Sequence, residues 1–259
     1  MAESSIACSP ARASASSPGS VAPSTVASHA DCGRVQDPYT LRCAPQVLGA
    51  VADALDYVEG AIERELLAVT DNPLVFADDD AVLSGGNFHG QPLSLPLDHL
   101  ALAACELASF SERRTYALLS PSYAGLPPFL TPRPGLSSGL MIAQYAAAAL
   151  VNESQVLAHP AGAGSIPTSA GQEDFNSMGA LAALKARTAV ENAGQVIATE
   201  LVCAVQGLEF HRPLRSTETL ERAAAKVREY VRRVDEDRSL AAELARLAEA
   251  LRTGEVVLP

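Results

Sequence analysis

The longest apolar stretch of the chain is Gly139-Leu140-Met141-Ile142-Ala143-Gln144-Tyr145-Ala146-Ala147-Ala148-Ala149-Leu150-Val151. It contains no proline and no charged side chain, and Gln144 is its one amide. The stretch is shorter than the roughly 18 apolar residues that suggest a membrane span. It therefore predicts a helix from about Ser138 to Leu157 that has almost no polar face and lies fully buried at the centre of the fold.

Helical periodicity extends outward from this stretch in both directions, because apolar residues recur every three or four positions. On the helix expected after it, Leu181 and Leu184 should face inward. The fold class is therefore mostly α, a bundle of long helices. The other expected elements are helices from Ala44 to about Asp71, from near Pro96 to about Leu118, at about 177–205, 218–233 and 240–252, and a short hairpin of 74–76 with 81–83.

Composition excludes several classes of partner. The chain has 259 residues, 48% of them hydrophobic, and a net charge of −11 without a basic cluster interleaved with aromatics. These features argue against a nucleic acid partner and against an anionic membrane surface. The five cysteines are odd in number and form no C-x-x-C pair, and the histidines are scattered. We therefore expect no disulfide framework, no metal site and a cytoplasmic location.

Residues 1–34 differ in kind from the rest of the chain. They are rich in Ser, Ala and Pro and poor in large apolar residues. Such a composition predicts a disordered tail. Arg12 is the single basic residue before Arg34, which is a weak basis for a targeting signal. We expect the folded domain to cover residues 35–259.

A candidate binding segment runs from Gly33 to Cys43 and overlaps the last two residues of this tail. Pro38 fixes its own φ, and a helix starting after it would place Tyr39 and Arg42 on one face, one turn apart. An Arg guanidinium can hold a carboxylate through two parallel charge-assisted hydrogen bonds. An amino acid substrate fits this chemistry. By itself the pattern is more often that of a capped, salt-bridged helix start.

Five blocks of the sequence form a recognisable series. They are Val-Gln-Asp-Pro-Tyr-Thr-Leu-Arg-Cys (35–43), Asp-Asn-Pro-Leu-Val-Phe (71–76), Ser-Gly-Gly-Asn-Phe-His-Gly (84–90), Gly-Leu-Pro-Pro-Phe-Leu (125–130) and Ser-Ile-Pro-Thr-Ser-Ala-Gly-Gln-Glu-Asp-Phe-Asn-Ser-Met-Gly (165–179). Together they resemble the aromatic amino acid lyase family, and in particular its histidine ammonia-lyase branch. The resemblance covers roughly Val35 to Leu251, and it implies the C-terminal part of that family's fumarase/aspartase-like helical fold.

The resemblance implies roles for residues in the first three blocks. Arg42 would hold the substrate carboxylate, with Tyr39 and Gln36 beside the reacting amine. Asn72 and Phe88 would lie near the electrophile, Asn72 as a polar contact and Phe88 as a wall.

The glycines before Phe88 and the acidic residues of the last block have their own chemistry. Gly85 and Gly86 permit positive φ, which would bring Phe88 close to a ligand; the alternative is a tight turn with a core phenylalanine. Glu173 matches the glutamate of histidine lyases, with Gln172 as a neighbouring substrate contact. A carboxylate can accept an imidazole N–H or act as a base. Alternatively, Glu173 belongs to an acidic first helical turn.

Two departures from the family pattern matter. Phe175 stands where the histidine-lyase form of its block has histidine. More seriously, the family's electrophile, 4-methylidene-imidazol-5-one (MIO), is made from an internal Ala-Ser-Gly, and the 259 residues contain no such tripeptide. The family's loop with the catalytic tyrosine base is missing too. The chain therefore resembles a C-terminal half that does not encode the cofactor.

These features leave several functional hypotheses open. The first is a histidine ammonia-lyase subunit, inactive alone, that deaminates L-histidine to urocanate when an N-terminal half is supplied in trans. Family members are homotetramers that share active sites between subunits, so a homo-oligomer is expected. The second is a non-catalytic truncated scaffold that associates with full-length relatives. The third is a phenylalanine or tyrosine ammonia-lyase or a 2,3-aminomutase.

Overall fold

The computed structural model describes residues 35–120 and 125–257, so the predicted tail of residues 1–34 lies outside the described residues. The described part is mostly helical, as predicted, with one two-stranded antiparallel hairpin. Its elements are α1 (Tyr39–Arg42), α2 (Ala44–Leu66), β1 (Leu74–Phe76), β2 (Ala81–Leu83), α3 (Gln91–Leu119), α4 (Met141–Leu157), α5 (Gly179–Phe210), α6 (Glu218–Tyr230) and α7 (Ala241–Arg252).

Three predicted helix boundaries were wrong by about five residues, among them the end of α5. Helix α2 ends at Leu66, and the chain then turns through a hydrogen bond from the Leu67 N–H to the Arg64 carbonyl. Helix α3 begins at Gln91 rather than near Pro96, which lies buried in its second turn. A proline that close to a helix start removes only one backbone hydrogen bond, so the helix continues through it.

The described residues form two compact units. The first comprises the residues up to Ala50, Leu107–Asn152 and the residues from Glu191 onward. The second comprises Val51–Glu106 and Glu153–Val190. Each of the long helices α2 to α5 contributes a segment to both units.

The core of the first unit is an apolar cluster that includes Leu130, Val202 and Leu247. Gln206 is fully buried within this unit, and its Nε2 donates to the carbonyls of Leu130 and Val234, each at 2.8 Å. Its Oε1 accepts from the Val234 N–H at 3.0 Å. Both polar atoms of the Gln206 amide therefore have hydrogen-bond partners, which offsets the cost of burying them. The amide also joins the backbones of Leu130 and Val234.

The start of α4 is held by the carboxylate of Asp237, which accepts from the N–H groups of Ser138 (2.8 Å) and Gly139 (2.9 Å). These two backbone hydrogen bonds hold the pKa of Asp237 below its usual value. Gly139 has a φ of +56°, and a Cβ there would lie 2.5 Å from the Phe129 carbonyl oxygen. Only glycine fits this position.

The prediction that α4 is fully buried was wrong. Small residues, among them Ala143 and Ala147, form its buried face, whereas Ile142 is 63% and Tyr145 62% exposed. Helix α5 shows the same arrangement, because Ala182 is buried and the Leu181 and Leu184 side chains predicted to face inward are exposed. A helix buries only the face that its neighbours cover, so an apolar sequence does not require burial all round.

In the second unit, the carboxylate of Asp98 organises the turn after α4. It accepts from the N–H groups of Ala161 (2.9 Å) and Gly162 (2.6 Å), and Lys185 Nζ lies 3.9 Å away. A Cβ on Gly162 would lie 2.2 Å from Ser94 Oγ, so this turn requires glycine. The predicted hairpin is confirmed, with Leu74 opposite Leu83 and Phe76 opposite Ala81.

Helix α3 is the one described helix long and apolar enough to cross a membrane by length and composition. Half of its most apolar window is buried inside the protein. It also carries the buried polar residues Ser94, Asp98, Ser111 and Glu112. This is the pattern of a core helix.

Candidate active site

In the first unit, the segment before α2 brings two of the predicted site residues together. Pro38 precedes α1, and the Arg42 guanidinium carbon lies 4.6 Å from the Tyr39 ring centroid. The prediction that these side chains share one face is confirmed. Arg42 Nε donates to the Asp37 carbonyl at 2.8 Å, which fixes the plane of the guanidinium. Tyr39 is 68% exposed and Gln36 is also exposed, so both can meet a ligand.

In the second unit, Asn72 anchors the loop that carries Phe88. Its Oδ1 accepts from Ser84 Oγ at 3.1 Å and from the Gly85 N–H at 3.0 Å. Oδ1 is thus engaged by the loop, and the amide NH₂ is the part of the side chain left to donate to a ligand. Phe88 is 56% exposed, so the alternative of a core phenylalanine is wrong.

The glycines of this loop act differently from the prediction. Neither Gly85 nor Gly86 adopts a positive φ. A Cβ at either position would meet nothing within 4 Å. The hydrogen bond from the Gly85 N–H to Asn72 thus joins this loop to the hairpin region without left-handed backbone at either glycine.

Glu173 lies in the loop between α4 and α5, six residues before α5 begins at Gly179, so it does not form an acidic first helical turn. Its Oε2 accepts from Thr168 Oγ1 at 2.6 Å. The same two residues pair through their backbones, with the Thr168 N–H donating to the Glu173 carbonyl at 2.9 Å. The Glu173 carboxylate is exposed and oriented by a neighbour. Gln172 is exposed beside it, with its N–H donating to the Ser169 carbonyl at 3.1 Å.

Phe175, the departure from the histidine-lyase pattern, packs against His89. The two rings stack with centroids 6.1 Å apart, and His89 Nε2 lies 2.9 Å from the Phe175 carbonyl oxygen. The Gln91 N–H donates to His89 Nδ1 at 3.3 Å, so the neutral imidazole carries its proton on Nε2 and donates to Phe175. His89 therefore ties the Phe88 loop to the Glu173 loop within the second unit.

The predicted site residues fall into two sets. Gln36, Tyr39 and Arg42 belong to the first unit, and Asn72, Phe88, Gln172 and Glu173 belong to the second. Sequence reasoning missed Thr168, Asn176 and His89. The available signal was the density of Ser, Thr and Asn in a Pro- and Gly-containing segment, since such side chains often bond to nearby backbone in loops.

The described residues contain side chains of the types that bind metals, and their thiols differ in burial. Within 35–120 and 125–257, no three His, Cys, Asp or Glu side chains are placed to hold a metal ion. Cys43, Cys105 and Cys203 are free thiols. Burial raises the pKa of Cys203 to about 12, so this thiol stays protonated and unreactive.

Comparison with known proteins agrees with the sequence blocks. The family model of the aromatic amino acid lyases matches residues 6–229, and the match begins within the segment predicted as a tail. The chain is similar to histidine ammonia-lyase from Symbiobacterium thermophilum, with 54% identity over 224 residues that are 86% of this chain and 44% of that protein. A histidine ammonia-lyase from Anaeromyxobacter sp. (strain K) is 55% identical over 209 residues, which are 81% of this chain and 41% of that protein.

Solved structures give the same result. The crystal structure of histidine ammonia-lyase from Trypanosoma cruzi superposes with a TM-score of 0.81 at 47% identity, over 85% of this chain and 44% of that one. Tyrosine aminomutase from Streptomyces globisporus superposes with a TM-score of 0.81 at 33% identity, over 87% of this chain and 45% of that one. The chain thus spans less than half the length of these relatives. By sequence and by fold, it belongs to the aromatic amino acid lyase family.

Proposed function

We propose that this chain is a subunit of a histidine ammonia-lyase-type enzyme that converts L-histidine to urocanate and ammonia without oxidation. The observation that carries the proposal is the Tyr39–Arg42 pair, in which a phenol and a fixed cation meet on one short helix. The relatives named histidine ammonia-lyase, at 54% and 55% identity, support this choice of reaction.

Arg42 would bind the substrate carboxylate. Its Nε is engaged by the Asp37 carbonyl, so the Nη1 and Nη2 end of the guanidinium would make the two parallel hydrogen bonds. Tyr39 and Gln36 would lie beside the substrate amine, where a phenol oxygen and an amide can accept and donate hydrogen bonds. This arrangement selects an α-amino acid rather than a simple amine.

Glu173 would recognise the imidazole or remove a proton. Its carboxylate is exposed and held by Thr168, so it can accept the ring N–H of histidine or act as a base. Gln172 would add a second polar contact. Phe88 would form a wall of the substrate cavity, which suits a planar ring.

The family's MIO group supplies an electrophilic carbon for the substrate amine when it is bound. Asn72 and Phe88 fit beside such a group, because the amide NH₂ of Asn72 is available to donate and Phe88 is exposed. The tripeptide that forms the group is absent from these 259 residues. We therefore propose that an N-terminal lyase half in trans, or a longer relative in a shared oligomer, provides both the group and the catalytic tyrosine base.

A non-catalytic scaffold that associates with full-length relatives is the second candidate. Activity on tyrosine or phenylalanine, or a 2,3-aminomutase reaction, is favoured by Phe175 at the family's histidine position and by the likeness to tyrosine aminomutase. A cytoplasmic location and a helical lyase domain over residues 35–259 complete the proposal.

Co-expression with the N-terminal half of the Symbiobacterium thermophilum relative tests this function. Urocanate, followed by its ultraviolet absorbance, should form from histidine with the pair of chains and not with this chain alone, because an essential covalent group cannot be replaced by binding contacts. Stable association without turnover of histidine would favour the scaffold. Turnover of tyrosine or phenylalanine in place of histidine would favour the third candidate.

A further inference from the structure

The loop of residues 165–178, here named the Glu173 loop, is organised by its own side chains. Thr168 and Glu173 face each other as an antiparallel backbone pair, and their side chains meet at 2.6 Å. Asn176 closes the loop from inside, since its N–H donates to Ser165 Oγ at 2.6 Å and its Nδ2 to the Ile166 carbonyl at 2.7 Å. Most of these hydrogen bonds involve a side chain, so the loop depends on the identity of its residues.

The direction of the hydrogen bonds at Thr168 follows from Asn176. Asn176 Nδ2 lies near two carbonyl oxygens, of Ile166 at 2.7 Å and of Glu173 at 3.4 Å, which can only accept. The NH₂ of this amide must therefore face them, and the same NH₂ lies 3.3 Å from Thr168 Oγ1. Thr168 Oγ1 therefore accepts a hydrogen bond from Asn176. Its own single proton is donated to the Glu173 carboxylate.

The bond that results is charge-assisted. A donor–acceptor distance of 2.6 Å is typical of a hydroxyl that donates to a carboxylate. It engages Oε2, and no described residue donates to the other oxygen, Oε1. The exposed carboxylate is thus held at one oxygen and presented at the other.

We propose that Asn176 and Thr168 are positioning residues, which form a hydrogen-bond relay that fixes the Glu173 carboxylate so that Oε1 faces the substrate imidazole. This inference rests on the proposed histidine reaction, because the relay positions the Glu173 carboxylate that would accept a hydrogen bond from the ring N–H. Thr168 does not touch the substrate in this scheme. It acts through Glu173 alone.

The relay is tested first in the chain as it exists, by hydrogen–deuterium exchange of the peptide that covers 165–178. Thr168→Val keeps the shape of the side chain and removes the proton donor, so deuterium uptake in this peptide should rise severalfold. Thr168→Ser keeps the donor and should match the wild type. Thr188→Val is the matched control, because its hydroxyl bonds only to the Leu184 carbonyl within α5. Unchanged uptake in Thr168→Val would overturn the relay.

The positioning role is tested in the enzyme complemented with an N-terminal half. Thr168→Val should lower kcat/KM for histidine about tenfold, with a smaller loss on tyrosine or phenylalanine, and Thr168→Ser should restore it. In a Glu173→Ala background, Thr168→Val should have no further effect. Equal losses on all substrates, or a full additional loss in that background, would overturn positioning. If the wild-type chain with its N-terminal half has no activity on histidine, the proposed function is wrong. The hydrogen–deuterium exchange experiment would still show whether the relay exists.

Discussion

Replacing Asp98 by Asn should cost the protein a large part of its stability. The carboxylate is buried, with its side chain 5% exposed, and both of its oxygens accept backbone N–H groups, from Ala161 and Gly162. Asn keeps one acceptor oxygen and turns an NH₂ toward the other N–H. One buried donor is then left without an acceptor, which costs about 1–3 kcal/mol.

Loss of the charge adds to this cost. Lys185 Nζ lies 3.9 Å from Asp98, and its side chain is only 14% exposed. Breaking a fully buried ion pair costs about 3–5 kcal/mol, but Lys185 retains the His159 carbonyl as an acceptor, so the increment lies below that range. We expect a total of about 3 kcal/mol, which lowers the Tm of a protein of this size by roughly 6–12 °C.

The assay is thermal unfolding followed by circular dichroism, with Glu218→Gln as the matched control. Glu218 also pairs with a cation, Arg222, but its side chain is 88% exposed. Exposed pairs contribute little, so the control should change Tm by no more than about 2 °C. Equal decreases in Tm for Asp98→Asn and Glu218→Gln would show that the buried carboxylate does not hold the turn after α4.

Three further outcomes are expected. The chain should self-associate or recruit a partner at micromolar concentration, because α4 and α5 expose large apolar side chains; a monodisperse monomer in light scattering would contradict this. In the complemented enzyme, Arg42→Lys should lower kcat/KM by about 10- to 150-fold, as expected for 1.5–3 kcal/mol, since an ammonium cannot make the bidentate contact; unchanged kinetics would show that Arg42 is structural. Hydrogen bonds from Arg212 and the Ser216 backbone lower the pKa of Glu221 from 4.5 to about 2. The Glu221 carboxylate therefore stabilises the fold above pH 4.5, and this contribution is lost as the pH falls toward 2. The difference in Tm between wild type and Glu221→Gln that is measured at pH 7 should accordingly decrease to zero between pH 4.5 and pH 2.

The helices and the Tyr39–Arg42 pair could be predicted because they depend on local sequence. One turn of helix fixes which side chains meet, and proline fixes where that turn begins. The buried face of α4 could not be predicted, since a stretch with no polar side has no periodicity that selects a face. The structure covers Ala143 and leaves Tyr145 exposed, because small residues allow neighbouring helices to approach closely.

The Glu173 loop was beyond sequence reasoning for a different reason. Its shape depends on left-handed backbone at Ser169 (φ 51°) and Ala170 (φ 55°), where neither residue type favours such angles. Without that backbone, Thr168 and Glu173 would not face each other. Gly85 and Gly86, which suggest positive φ by their identity, do not use it. Side-chain hydrogen bonds in both loops determine the backbone and override local preference.

The proposed contact between Glu173 and the substrate imidazole is tested by substrate choice. In the complemented enzyme, Glu173→Gln should reduce turnover of histidine far more than that of phenylalanine or tyrosine, because only the imidazole offers a ring N–H to the lost carboxylate. Asp174→Asn, at the neighbouring exposed carboxylate, is the control and should leave turnover of all three substrates unchanged. A selective loss on histidine is the result expected of a histidine ammonia-lyase site. Equal losses on all three substrates would contradict recognition of the imidazole by Glu173.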